Sequence, residues 1–107
     1  MKYTILQLDS YNIDVMKDEK LFVSWDDLNK YSKFDISQYK KVYEGEVTEM
    51  TDLFHILESI FEKFNLRHPS DFNGHSLSVS DVVVLDGIGY YCDSYGWINT
   101  GTGEEIL

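Results

Sequence analysis

The sequence is poor in cysteine, proline, basic residues and long apolar runs, and each shortage excludes a class of protein. Its 107 residues include a single cysteine, Cys92, and a single proline, Pro69. One cysteine excludes an internal disulfide framework and a cysteine-cluster metal site, as is typical of a reducing compartment. No apolar run approaches the roughly 18 residues of a membrane span, and the opening MKYTILQLDS is too short and too polar for a secretory signal. We therefore expect a cytoplasmic protein without a membrane partner.

Basic residues are scarce in the second part of the chain. The sequence has 9 basic and 19 acidic residues, a net charge of −10. Residues 1–41 hold seven acids and seven bases, whereas residues 42–107 hold twelve acids and only two bases, Lys63 and Arg67. Direct nucleic-acid binding is not expected, because it depends on Lys and Arg displacing counterions from phosphates. The charge favours docking onto a basic protein surface, and its plainer interpretation is solubility.

The composition otherwise predicts a folded chain. Hydrophobic residues make up 43% of it and aromatic residues 15%, and the length fits one domain over residues 1–107. Residues 3–8 and 38–47 alternate in the manner of strands, with Tyr39, Lys41 and Tyr43 on one face of the second. A short helix is predicted after Ser24, since Asp27 follows three residues later as in a capping box.

The strongest periodic signal predicts a helix over residues 51–65. Thr51 is its predicted N-cap, and Lys63 suits its C-terminal end. Its apolar residues recur at helical spacing and form one broad stripe that favours packing in the core. The stripe consists of Leu53, Phe54, Ile56, Leu57, Ile60, Phe61 and Phe64.

The stretch GHSLSVSDVVVLDG, residues 74–87, leads from polar residues into an aliphatic run. We predict a strand over residues 79–85, buried on both faces where the valines are consecutive. Asp86-Gly87 is a typical hairpin turn, and the aromatic segment that follows is strand-like, so two paired strands are expected near the C-terminus. The predicted fold is α+β, with an antiparallel sheet packed by one main amphipathic helix plus a short helix.

Histidine, serine and aspartate in the same stretch raise the question of catalysis. A serine nucleophile is typically lifted on a Gly-x-Ser-x-Gly turn, and the second glycine is missing here. Neighbours on an extended strand also point to opposite faces, so His75 and Ser76 would not meet as base and nucleophile. Ser78, Ser80 and Asp81 are more typical of turn hydrogen bonds. We therefore expect no enzymatic activity, and no metal, cofactor or reactive thiol at Cys92.

The segment HPSDFNGHSLSVSDVVVLDG followed by YYCDSYGW resembles the signature region of YodL-like domains. These are small domains of Firmicutes that are common on plasmids, phages and conjugative elements. The resemblance is close over residues 66–98, where Cys92 stands in place of the usual valine and Trp97 in place of the usual phenylalanine. It implies no catalytic residues. It implies that the motif has a structural role in which His75, Ser78 and Asp93 satisfy one another or the backbone.

Two classes of function are compatible with this sequence. The first is a non-enzymatic protein from a mobile element that inhibits a host defence nuclease, of the anti-CRISPR or anti-restriction type, by mimicking DNA on a basic surface. The second is an adaptor that binds another host protein, such as a cytoskeletal one, through an aromatic hairpin, or a domain of purely structural role. The expected contact residues are Glu44, Glu46, Glu49, Asp52, Glu58, Glu62, Tyr91, Asp93, Tyr95 and Trp97. Asp86, Glu104 and Glu105 are expected to extend the acidic surface.

Overall fold

Six antiparallel strands and three α-helices make up the fold in a computed structural model, which describes residues 1–17, 20–48 and 51–107. The strands are β1 (Lys2–Leu8), β2 (Tyr39–Glu46), β3 (Val82–Leu85), β4 (Ile88–Cys92), β5 (Trp97–Asn99) and β6 (Glu105–Ile106). They form one sheet in the order β2-β1-β3-β4-β5-β6. The helices are α1 (Ile13–Lys17), α2 (Trp25–Tyr31) and α3 (Leu53–Leu66), and a 3₁₀ turn spans Ile36–Gln38. The predicted α+β class is confirmed.

Both faces of the sheet are covered, because successive residues of a strand point to opposite sides. On the face that we call the α3 side, the apolar stripe of α3 packs against β1, β3, β4 and β5. The buried residues from α3 are Ile56, Leu57, Ile60 and Phe64, and those from the strands are Tyr3, Ile5, Val83, Leu85, Tyr90, Cys92 and Trp97. On the opposite face, the α2 side, Leu28 of α2 packs with Val82, Tyr91 and Ile98. Val82 and Val83 have no exposed surface and belong to different sides. The predicted burial of β3 on both faces is thus confirmed.

Side-chain caps begin the two longer helices. The Ser24 side chain accepts a hydrogen bond from the Asp27 backbone N–H at 3.2 Å, as the capping pattern predicts. At α3 the N-cap is Asp52 and not Thr51, because the Asp52 carboxylate accepts from the His55 backbone N–H at 3.0 Å. A carboxylate there also favours the positive end of the helix dipole. No helix within the described ranges is long and apolar enough to cross a membrane.

The strand predicted over residues 79–85 begins only at Val82. The preceding residues form a turn, in which the Asp81 backbone N–H donates to Ser78 O at 3.1 Å and Ser80 has φ of 88°. Small polar and apolar residues alternate here as they do in a strand, although the backbone forms a turn.

The hairpin prediction is confirmed: Asp86 and Gly87 connect β3 to β4 with φ of 49° and 79°. Two positive φ values are those of a type I′ turn, whose twist matches the paired strands.

A bulge in β2 changes its predicted alternation. Ile5 of β1 pairs with Tyr43, but the next residue, Leu6, pairs with Lys41, so Val42 is the extra residue. One extra residue reverses the side to which later residues point. Tyr39 consequently packs on the α2 side and Tyr43 on the α3 side, where the sequence pattern had placed both rings on one face.

Candidate functional site

The loop of residues 73–81, which carries the whole Gly-His-Ser-Leu-Ser-Val-Ser-Asp motif, is fixed to β1 by one buried glutamine. Gln7 is 1% exposed. Its Nε2 donates to His75 O at 2.9 Å and to Asp81 Oδ2 at 3.1 Å. Its Oε1 accepts from the His75 backbone N–H at 3.2 Å. Three hydrogen bonds from a single side chain therefore hold the loop against the end of β1.

Gly74 permits this close approach. A Cβ atom at Gly74 would overlap Gln7 Oε1 and would lie 2.9 Å from Phe72 Cζ. Phe72 belongs to the core on the α3 side, so its ring has little room to give way. The glycine of the motif is therefore required by packing against Gln7 and Phe72.

Asp81 is the buried charged group of the motif. It is 1% exposed, and its Oδ2 accepts from the Ser78 backbone N–H at 2.9 Å in addition to Gln7. Burial raises the pKa of Asp81 to about 7, because desolvation disfavours the carboxylate more than its hydrogen bonds and His75 favour it. His75 Nε2 lies 4.0 Å from Asp81 Oδ1, and the His75 side chain is 44% exposed. The buried carboxyl group thus lies next to a partly exposed imidazole.

Ser80 connects the motif to the α2 side. Its Oγ accepts from the Phe22 backbone N–H at 3.1 Å, and its backbone carbonyl accepts from Tyr39 Oη at 2.6 Å. Its backbone N–H donates to Cys92 O at 2.9 Å. Gln7 binds the same loop from the α3 side, so the motif joins the two layers at the end of the sheet.

Among the described residues, the motif forms no nucleophile–base pair. The ring nitrogen Nδ1 of His75 lies 2.7 Å from Ser76 O and 3.3 Å from Gln7 Nε2, and no serine hydroxyl bonds to either ring nitrogen. Ser78 Oγ is buried without a partner. Burial raises the pKa of the Cys92 thiol to about 12, so it is protonated at neutral pH. No group of three His, Cys, Asp or Glu in the described ranges could hold a metal ion.

The predicted acidic contact residues lie on different elements of the fold. Glu44 and Glu46 lie on the edge strand β2, where Glu44 forms a salt bridge of 3.2 Å with Lys41. Asp52 is engaged as the α3 cap and lies 2.7 Å from His55 Nδ1, contacts that lower its pKa. That these residues contact a partner stays a prediction. Glu49 lies outside the described residues.

A second group of acids lies on the opposite flank of α3. Glu58 and Glu62 are exposed, and Glu58 lines a cleft with Asp93 at the β4–β5 turn. Asp93 is half-buried, and its Oδ1 accepts from the backbone N–H groups of Trp25 at 3.0 Å and Ser94 at 2.9 Å. Asp93 therefore tethers the start of α2 and has its charge near that of Glu58. Its predicted bond partners, His75 and Ser78, are not its neighbours in the hydrogen-bond network.

The expected aromatic surface of the C-terminal hairpin is not formed. Tyr91 is completely buried on the α2 side, and Trp97 is 1% exposed on the α3 side. Only Tyr95 faces solvent, with 85% of its surface exposed. The prediction that the three rings form one contact patch is wrong, because Tyr91 and Trp97 point into opposite cores.

Gln7 is the site residue whose role the sequence left unassigned. It falls on the same side of β1 as Tyr3 and Ile5, both of which are core residues. A polar residue among the core positions on one side of a strand indicates a buried hydrogen-bond network. Its partners could not be predicted, because they lie 68 and 74 residues away along the chain.

Fold and motif together define a small α+β domain in which the polar stretch of residues 74–81 is hydrogen-bonded to both layers. A family model, YodL-like domain, matches residues 2–101, which is nearly the whole chain. The protein belongs to the YodL-like domain family. No curated protein and no solved structure matches it significantly.

Proposed function

We propose that this domain is a non-enzymatic binding protein that docks an acidic surface onto a basic surface of a host protein. We call this surface the acidic side; its residues are Glu58, Glu62, Asp86, Asp93, Glu104 and Glu105. In its most concrete form, the proposal is that a mobile genetic element carries the domain to inhibit a host defence nuclease, such as a CRISPR effector or a restriction enzyme. A nuclease presents a basic groove for nucleic acid. An acidic domain that occupies this groove would block it as a DNA mimic.

The observation that carries the proposal is the absence of lysine and arginine after Arg67. Residues 68–107 contain six acids and no Lys or Arg. Asp81 is buried and Asp93 half-buried, whereas Asp71, Asp86, Glu104 and Glu105 are exposed. None of these four takes part in a salt bridge within the described part of the chain. Their charge is therefore open to a partner.

The acids of this region lie close enough to act on common neighbours. The pKa of Tyr90 is raised by burial and then by the charges of Asp86 and Glu104. Burial is the largest cause of the raised pKa of Cys92, and the charges of Asp81, Glu58 and Asp93 raise it further. Tyr90 and Cys92 belong to the same strand and side of the sheet. The β4–β6 part of the α3 side is thus under a negative field, which supports docking by charge complementarity.

The alternative is an adaptor that binds another host protein, such as a cytoskeletal one, through aromatic contacts. Two of its three expected contact rings, Tyr91 and Trp97, are buried. Tyr95 remains as a single exposed ring, which is ordinary for a protein surface. The acidic side is the better supported docking surface.

The test begins with a pull-down from host lysate that identifies the partner by mass spectrometry. Binding is then measured over a range of salt concentrations for the variant Glu58→Lys, Glu62→Lys, Glu104→Lys, Glu105→Lys. These side chains are exposed, and exposed charges contribute about 0–1 kcal/mol each to stability. We expect the variant to fold, to bind much more weakly at low salt and to lose the salt dependence of the wild type.

A control replaces two acids on the opposite edge of the sheet, Glu44 and Glu46, by lysine, and so makes half the charge change of the four-lysine variant. This control is expected to bind nearly as well as the wild type. Equal binding of the four-lysine variant at every salt concentration would contradict the acidic-side mechanism. If the partner is a nuclease, a cleavage assay separates inhibition from binding: a bound but fully active nuclease would exclude the inhibitor proposal and leave the binding proposal standing.

A further inference from the structure

Lys63 and Arg67, the two basic residues among residues 42–107, line the same cleft. A cleft of about 320 Å³ lies between the end of β2 and one flank of α3. Tyr3, Glu46 and Thr48 line it on the sheet side, and Ser59, Lys63 and Arg67 line it on the helix side. Residues 42–107 contain no other Lys or Arg. In a segment with twelve acids, two cations at one cleft locally offset the overall negative charge.

Lys63 and Arg67 act together because they are four residues apart on a helix, where side chains at this spacing are neighbours. Both are exposed, and neither forms a salt bridge with any described residue. Lys63 Nζ lies 5.8 Å from the centre of the Phe64 ring, which keeps the ammonium near the helix surface. Arg67 offers a planar guanidinium that matches the geometry of carboxylate and phosphate groups.

The floor of the cleft supplies a neutral donor. Tyr3 is 3% exposed and lines this cleft as well as a neighbouring one formed with Thr4, Glu44 and Gly45. Burial raises the pKa of Tyr3 to about 12, so its hydroxyl keeps its proton at neutral pH. No described residue accepts a hydrogen bond from Tyr3 Oη, and this oxygen is not among the fully buried polar atoms that lack a partner. Its hydroxyl group is therefore open to the cleft, where a ligand oxygen can replace water as the acceptor of its hydrogen bond.

We propose that the cleft binds the carboxylate or phosphate group of a small molecule through Lys63, Arg67 and the Tyr3 hydroxyl. Glu46 lines the opposite wall and opposes a bare anion by like-charge repulsion. The favoured ligand therefore carries a hydrogen-bond donor for Glu46 in addition to its oxyanion. The site is separate from the acidic side, so it can be tested without knowledge of the protein partner.

The test is an amide NMR titration of the full chain with sodium phosphate and, separately, with sodium acetate, at an ionic strength held constant with sodium chloride. We expect saturable shifts at the amides of residues 47–48 and 59–67. Comparison of the two anions distinguishes a phosphate ligand from a carboxylate ligand. The double variant Lys63→Gln, Arg67→Gln should bind the preferred anion at least about tenfold more weakly, because it loses charge-assisted hydrogen bonds.

Three further variants sharpen the test. Tyr3→Phe removes only the hydroxyl and should weaken binding about two- to tenfold without loss of the fold. Glu46→Gln should strengthen binding, since it removes the opposing charge. Lys33→Gln removes one positive charge away from the cleft and should leave binding unchanged. The proposal is overturned if neither anion saturates the wild type, or if the double variant binds both as tightly as Lys33→Gln does.

Discussion

The two sides of the sheet are stabilised in different ways. On the α3 side, thirteen buried residues form one apolar cluster around a 14-residue helix, so apolar packing is extensive there. On the α2 side, the buried cluster has four residues and is completed by half-buried rings such as Trp25 and Phe34. Here tyrosine hydroxyl groups donate to loop carbonyls, Tyr91 Oη to Val23 O and Tyr39 Oη to Ser80 O, both at 2.6 Å. A short helix with few apolar residues is thus supplemented by hydrogen bonds.

The largest expected effect compares one leucine from each side. Leu57→Ala removes a fully buried side chain from the larger cluster, and Leu28→Ala removes one that is 4% exposed from the smaller. Buried leucine-to-alanine changes lower the free energy of unfolding by about 2–5 kcal/mol, more where the site cannot collapse. We expect Leu57→Ala near the upper limit and Leu28→Ala near the lower, measured by urea denaturation. A greater loss for Leu28→Ala would contradict the ranking of the two sides.

The next prediction concerns the pH dependence of the motif that joins the two sides. With a pKa of about 7 in the folded state, Asp81 binds a proton between roughly pH 4 and 7 that the unfolded state has lost. Its contribution to stability therefore falls as pH rises through this range. The nearby Tyr39, Tyr91 and Cys92 stay neutral in this range, because burial raises their pKa values.

Asp81→Asn preserves the shape of this side chain and removes its charge. Its Oδ1 can accept both hydrogen bonds that Asp81 Oδ2 now accepts. We expect the variant to gain stability relative to the wild type between pH 4.5 and pH 8.5, by an amount on the order of 2–4 kcal/mol. Urea denaturation at both pH values measures this difference. A constant difference would mean that Asp81 is ionised throughout.

A smaller effect is expected from the contact between the motif loop and β1. Gly74→Ala introduces a Cβ that overlaps Gln7 Oε1 and crowds the Phe72 ring. Overpacking of this kind lowers stability by about 1–3 kcal/mol. Gly101→Ala is the matched control, since the added Cβ would meet only Asn99 Oδ1 at 3.4 Å, an ordinary contact. Equal melting temperatures for the two variants would show that the loop is not held closely against Gln7.

The smallest effect is expected at Ser78. Its hydroxyl oxygen is buried without a hydrogen-bond partner in the described structure, whereas its backbone N–H binds Asp81. An unpaired buried hydroxyl is unfavourable, and Ser78→Ala leaves the backbone contact in place. We expect a change in the free energy of unfolding within about 0.5 kcal/mol of zero, or a small gain. A clear fall in melting temperature would reveal a partner for the hydroxyl.

Local patterns were sufficient to predict several elements of this fold. The apolar stripe of α3, the Asp86-Gly87 turn and the Ser24 cap each depend on residues within a few positions of one another. Helical spacing, positive φ and capping are properties of short segments, so they can be identified without knowledge of the partner strands. The family could also be identified from a local motif, because the order of residues in one loop and hairpin is distinctive.

Only the tertiary structure decided which side chains are free for contact and which are held in the interior. Tyr91 and Trp97 are close in sequence, yet the pairing of Cys92 with Trp97 across β4 and β5 directs them to opposite cores. The bulge at Val42 likewise separates Tyr39 from Tyr43. Gln7 meets Asp81 only because β1 and β3 are neighbours in the sheet. Composition and spacing determined that this chain is acidic and folds as α+β, whereas strand register determined its sites, because a shift of one residue exchanges the two faces of a strand.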